Sequence, residues 1–128
     1  MKIGFNKIIC SLPLAFALLL GSLIVYAQSK GIPLQNGELF IAIGLLVLSL
    51  PMFFVSYIVV TDTEIKINNE FGMPRRHAAI TGLHDLKFEN GNLMVLSNGE
   101  FVKLRFSKIL VDPKGIKALK MKIDGVNN

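Results

Sequence analysis

The densest basic cluster in the chain is Arg75-Arg76-His77, and the one histidine beside an acid is His84, next to Asp85. These are the places where chemistry is first sought. Neighbouring residues on a strand point to opposite faces, so His84 and Asp85 do not make an acid–base pair there. His77 and His84 lack a third ligand at metal spacing. The single cysteine, Cys10, lies in an apolar run, so neither an intrachain disulfide nor a thiolate cluster is available. No serine sits in the glycine elbow of a hydrolase, and there is no glycine-rich phosphate loop. The expectation is a protein that is not an enzyme and uses no metal or cofactor.

What remains is charge. Arg75 and Arg76, with Lys114, Lys117, Lys120 and Lys122 further on, suit contact with anionic headgroups or an acidic partner. Each such residue gains about 1 kcal/mol near an anionic leaflet. The plain alternative for the arginine pair is a solvated loop edge. Phe71 and Met73 fall in the same turn and are read as packing on a sheet, since scattered surface apolars are common. The net charge is +5, but the basic residues are dispersed, and a nucleic-acid partner is not expected.

The element that must position these residues is Leu39–Val60, which holds 22 residues without a charge. As a helix it would reach roughly 33 Å, against a bilayer core of about 30 Å. A second uncharged run, Ile8–Ala27, precedes it. Lys2 and Lys7 stand before that run, and no acid does. Val25-Tyr26-Ala27 resembles a signal-peptidase site, but the apolar core is longer than a leader needs, so a transmembrane helix is preferred. Gln28–Glu38, with Gly31, Pro33 and Gly37, reads as a reversing loop. The positive-inside count places Lys2, Lys7, Lys66, Arg75 and Arg76 on the cytoplasmic side, with both termini. Pro51 is expected to kink the second span, and Ala17 with Gly21 to let the two spans approach.

After Asp62 the pattern changes to period two. Strands are expected at Tyr57–Thr61, Glu64–Ile67, Arg75–Ile80, Leu86–Glu89, Leu93–Ser97 and Glu100–Phe106. The second span should pass into the first of them with almost no linker. Asn98-Gly99 is a hairpin signal pairing Ser97 with Glu100, Val95 with Val102 and Leu93 with Leu104. Asp112 caps a last helix opened by Pro113, with Ile116, Leu119 and Ile123 as its apolar stripe and Gly125 at its end. The segments are thus 1–7 (cytoplasmic), 8–27 (first span), 28–38 (outer loop), 39–57 (second span) and 58–128 (cytoplasmic domain). The fold class is a membrane helical hairpin followed by a small α+β domain.

Two amino-terminal spans running into Tyr57–Ile67, then Ile80–Leu86, the Asn98-Gly99 hairpin and the helix at Asp112–Ile123, resemble bacterial pleckstrin-homology-like domains of small membrane proteins. The resemblance implies a bent antiparallel sheet or partial barrel plugged by the last helix. It implies a bacterial plasma membrane location and a binding or assembly role with a protein or peptide partner. Phosphoinositide-binding relatives carry a basic pattern where Lys66, Arg75 and Arg76 stand here; this sequence departs from it at His77. The alternative function is a structural or immunity-type subunit acting through its hairpin on another membrane protein.

Overall fold

The computed structural model describes residues 1–127. Two long apolar helices, α1 (Lys7–Ser29) and α2 (Asn36–Phe54), form an antiparallel hairpin. At about 1.5 Å per residue they reach roughly 34 and 28 Å, long enough to cross a membrane. Their outward faces are lined by exposed Leu, Ile, Val and Phe. The buried residues of the hairpin are Cys10, Ala17 and Ile24 on α1 and Ala42, Ser49 and Met52 on α2. Seven-residue spacing keeps Cys10, Ala17 and Ile24 on one side of the helix. Ala17 is buried, whereas a side chain at Gly21 would touch nothing. The expected Ala17–Gly21 contact pair is therefore replaced by Cys10–Ala17–Ile24.

Beyond the hairpin lies a small α+β unit. One sheet has the order β1 (Lys2–Gly4), β2 (Ser56–Val60), β3 (Glu64–Asn68), β4 (Pro74–Ala79). A second has β5 (Leu86–Glu89), β6 (Asn92–Ser97), β7 (Glu100–Leu104). All pairings are antiparallel. A closing helix, α3 (Pro113–Asn127), packs against β1 and β5. The core joins Ile3, Ile58 and Ile65 of the first sheet to Leu86 and Leu93 of the second, with Leu119 and Ile123 of α3.

The largest departure from the sequence expectation is β1. Residues 1–7 read as a charged lead-in, yet Ile3 is 1% exposed and pairs with Ile58. Lys2 lies opposite Val59. The bridge continues past β1, where Phe5 pairs with Val111. The amide N–H of Asn6 donates to Leu110 O, and that of Asp112 donates to Gly4 O. The hairpin is thus an insertion between two neighbouring strands of one sheet. The lysines hid a period-two pattern, in which buried Ile3 and Phe5 alternate with exposed Lys2 and Gly4.

At the other end of the hairpin, α2 stops at Phe54 rather than at 57, and only Val55 separates it from β2. The near-absence of a linker matches the reading. A short 3-10 turn, Leu83–Asp85, carries the chain between the sheets. There the backbone N–H and hydroxyl of Thr81 both donate to the Asp85 carboxylate, which holds it below the usual carboxylate range.

The β6–β7 register is the expected one: Ser97 with Glu100, Val95 with Val102, Leu93 with Leu104. Leu93 and Val95 are buried, but Val102, on the edge strand β7, is exposed. Asn98 and Gly99 both have positive φ, as a type I′ turn demands. No atom crowds the Cβ position of Gly99, so backbone conformation alone selects glycine. Gly99→Val is expected to destabilise the domain by about 1 kcal/mol or more, read as a lower Tm of the full-length chain in detergent. An unchanged Tm would mean that the turn tolerates a β-branched residue and that the hairpin rests on other contacts.

In α3, Leu119 and Ile123 are buried and Ile116 half-buried, as the stripe required. Asp112 receives a hydrogen bond from Lys114 N–H at 3.3 Å. The helix runs past Gly125 to Asn127, whose side chain donates to Leu86 O at 3.0 Å. That tertiary bond holds the last turn where glycine would otherwise end it.

Candidate functional site

Strand directions set the geography. β2 leaves the hairpin, β3 returns toward it, and β4 leaves again. The turn between β3 and β4 therefore sits at the hairpin end of the domain. A Cβ on Gly72 would stand 3.1 Å from Val55 Cγ1, so this turn is seated on the α2–β2 junction. Gly72 has φ +82, which favours glycine here as well. Asn69 fixes the turn by accepting from the N–H groups of Phe71 and Met73 at 3.0 and 2.9 Å. Phe71 and Met73 are not packed on the sheet: they are 47% and 57% exposed, on the same rim as exposed Phe54. The reading of these two as packing residues is corrected by that seat, which holds the turn at the junction and its side chains outward.

The basic residues fall into two groups. Arg75 and Arg76, at the start of β4, line a pocket of about 220 Å³ together with Arg105. Its inner wall is Phe5, Tyr57 and Asn68. The Phe5 and Tyr57 rings lie 4.8 Å apart, tilted by 41°. The Tyr57 hydroxyl accepts from Ser107 N–H at 2.7 Å. Arg76 Nη1 donates to Arg105 O at 2.8 Å, tying β4 to the segment that follows β7. Asn68 is 8% exposed; its amide donates to Ser56 O at 2.9 Å, while its Oδ1 is buried without a hydrogen-bond partner. Glu70 adds one acid to the lining.

Lys117 and Lys120 belong elsewhere, on a mostly apolar hollow of about 330 Å³ beside Phe88, Phe106 and Ile116. Lys114 lines neither cavity. α3 begins beside Gly4, at the hairpin end, and finishes at Leu86 beyond the 3-10 turn. Its lysines are therefore spread along the height of the domain, and Lys122 stands about 12 Å further up the helix than Lys114. Lys66 is spent locally, 2.8 Å from Glu64. Arg75 and Arg76 are brought together with a third arginine, and the lysines are not.

Sequence reasoning missed Arg105, Asn68, Tyr57 and Phe5. An Asn-Asn pair favours a turn, yet Asn68 still pairs, opposite Pro74, across an irregularity in the ladder. Arg105 has no local signal, because its role comes from where β7 ends relative to β4. Among the described residues, no three of His, Cys, Asp and Glu gather to hold a metal ion. Asp85 contacts His84 at 3.4 Å, but His84 is largely exposed and the pair borders none of the cavities described here.

Comparison with known proteins gives no kinship: no family model, no curated protein and no solved structure matches the chain.

Proposed function

We propose that this protein is a membrane-anchored, non-enzymatic binding module of the pleckstrin-homology-like type. Two antiparallel sheets closed by a carboxy-terminal amphipathic helix are what such a module requires. The hairpin crosses the bacterial plasma membrane with both termini in the cytoplasm, in keeping with Lys2, Lys7, Arg75 and Arg76 on one side. The pairing of β1 with β2 supports this, since it requires both open ends of the hairpin on one face of the bilayer.

The observation that carries the binding reading is the free edge of β4. Among the described residues, it pairs with β3 on one side and with no strand on the other. Ile80 N–H donates to Thr63 O, so by antiparallel alternation the backbone groups of Ala78 and Arg76 face β3. Those of His77 and Ala79 then face outward. An unpaired strand edge is a template for an added strand. Arg75 and Arg76 at its hairpin end favour an acidic, extended segment of a protein partner.

The test has two arms in cells. A fluorescent reporter after Asn128 should glow, and an export-dependent phosphatase there should stay silent; an active phosphatase would overturn the topology. A photo-crosslinking residue at Ala79 should give a discrete protein adduct, and His77→Pro, which removes an outward N–H, should abolish it. No adduct, or one indifferent to His77→Pro, would overturn partner binding at this edge.

A further inference from the structure

Four large apolar side chains, Phe54, Phe71, Met73 and Ile109, are exposed where the domain meets the hairpin. Single surface apolars need no explanation. These four share one level, and the backbone holds them there from both open ends of the hairpin. At the α2 end, the turn is seated on Val55 through Gly72. Phe71 and Met73 flank that glycine, each one Cα step of about 3.8 Å away. Besides the two bonds to Asn69 Oδ1, the N–H of Asn69 donates to Met73 O at 2.8 Å and that of Gly72 to Asn69 O at 3.0 Å. At the α1 end, the helix is capped by Asn6, whose Oδ1 accepts from Ile8 N–H at 3.1 Å. Asn6 Nδ2 donates to Ile109 O at 3.4 Å, and its backbone N–H donates to Leu110 O at 2.6 Å. Ile109 is thereby fastened to the first turn of α1.

Helix length fixes where that level falls. The uncharged run of α1, Ile8–Ala27, reaches roughly 30 Å at about 1.5 Å per residue, which matches a hydrocarbon core of about 30 Å. With this run across the bilayer, one boundary of the core lies at Ile8. Gly4 pairs with Ser56, so the end of α2 stands beside the start of α1. Asn6 and Val55 then fall in the headgroup layer, about 5–8 Å deep on each side. Ile109 is bonded to the first of them, and the Phe71–Met73 turn packs on the second. Exposed cations accompany the apolar side chains: Lys7, Arg75 and Lys108. Apolar groups with Lys and Arg beside them suit the membrane interface, where stems are buried and charged ends reach back to water.

We propose that Phe54, Phe71, Met73 and Ile109 form an apolar collar set into the boundary between acyl chains and headgroups, so that the base of the domain is embedded in the bilayer and does not swing above it. What covers the collar is lipid, taken up by burial of apolar surface without regard to headgroup identity. Held from both ends of the hairpin, the domain keeps one orientation. β4 begins at Pro74, directly after the embedded turn, and leads away from the membrane. Its outward edge at His77 and Ala79 therefore stands in water, open to a partner.

The proposal rests on the hairpin crossing the bilayer, and the experiment separates the two. The chain has no tryptophan, so a single one introduced into it reports its own depth. Phe71→Trp, Met73→Trp and Ile109→Trp are made one at a time in the full-length chain. The references are Leu19→Trp, near the middle of α1, and Val126→Trp, at the far end of α3, both at exposed positions. Each variant is reconstituted in phosphatidylcholine vesicles whose acyl chains carry bromine either near the carboxyl end or near the methyl end. The zwitterionic lipid removes charge attraction as a source of contact. Leu19→Trp should be quenched most by bromine near the methyl end, and Val126→Trp by neither. The three collar variants should be quenched most by bromine near the carboxyl end, emit to the blue of Val126→Trp and resist acrylamide. Leu19→Trp left unquenched would sink the membrane reading and the collar together. With Leu19→Trp quenched, any collar variant that behaves as Val126→Trp does would overturn the collar alone. So would loss of the domain's protease resistance in a collar variant, since it would show that side chain packed on protein and not on lipid.

Discussion

Ile3→Asp is expected to abolish the folded domain while leaving the helical hairpin intact. Ile3 is 1% exposed, set between Ile58 of β2 and Gly115 of α3. An unpaired carboxylate there would meet apolar walls, a cost of several kcal/mol, comparable with the whole stability of a small domain. Ile3→Ala is the milder probe and should cost about 2–4 kcal/mol by loss of burial and the cavity left behind. Limited proteolysis of the full-length chain in detergent gives the reading. The unaltered domain should resist, Ile3→Ala should be cut faster, and Ile3→Asp should be degraded to a fragment containing α1 and α2. An Ile3→Asp chain that resists protease would mean that β1 is dispensable.

Gly115→Val carries the second large effect and tests the same contact from the helix side. A Cβ on Gly115 would lie 2.5 Å from Ile3 Cγ2 and 3.3 Å from Ile3 Cβ. Ile3 is β-branched and stiff at χ1, so it cannot simply swing aside. Valine should force α3 off β1 and cost about 2–3 kcal/mol, at the upper range of overpacking. The informative measurement is a double-mutant cycle. Ile3→Ala opens the space that the added valine side chain needs, so Gly115→Val in that background should cost much less than in the native one. Additive Tm losses would show that α3 does not bear on Ile3 in solution.

Both variants concern a strand that the amino-acid pattern scarcely announces. Period-two signals elsewhere were long enough to read: Leu93, Val95 and Leu104 gave the β6–β7 register, and the Asn98-Gly99 turn fixed it. Leu119 and Ile123 likewise declared the buried side of α3. β1 has three residues, and its lysine served equally well as a flanking charge for a membrane span. The end of α2 was blurred because Tyr57 to Val60 are apolar in the manner of both a span and a strand. The site was half legible. Arg75 and Arg76 stand out as a pair, but Asn68 and Arg105 meet them only through the return of β3 and the close of the second sheet. Long-range juxtaposition leaves no mark in a local window.

The separation of β1 from β2 also orders events during synthesis. Gly4 and its partner Ser56 are 52 residues apart, and both long helices lie between them. At the usual 5–20 residues per second, β1 waits about 3–10 s after it is made before its neighbour exists. Ile3 and Phe5 are unburied for that interval. The sheet then closes only if the hairpin, inserted as proposed, has returned to the side on which it started. A chain with one helix across and the other left behind has β1 and β2 on opposite faces of the bilayer, where no pairing is possible. Such a chain keeps an unfinished sheet and exposed apolar strands, which are what proteases and chaperones recognise. The first strand thereby makes folding of the domain a check on correct insertion of the helices.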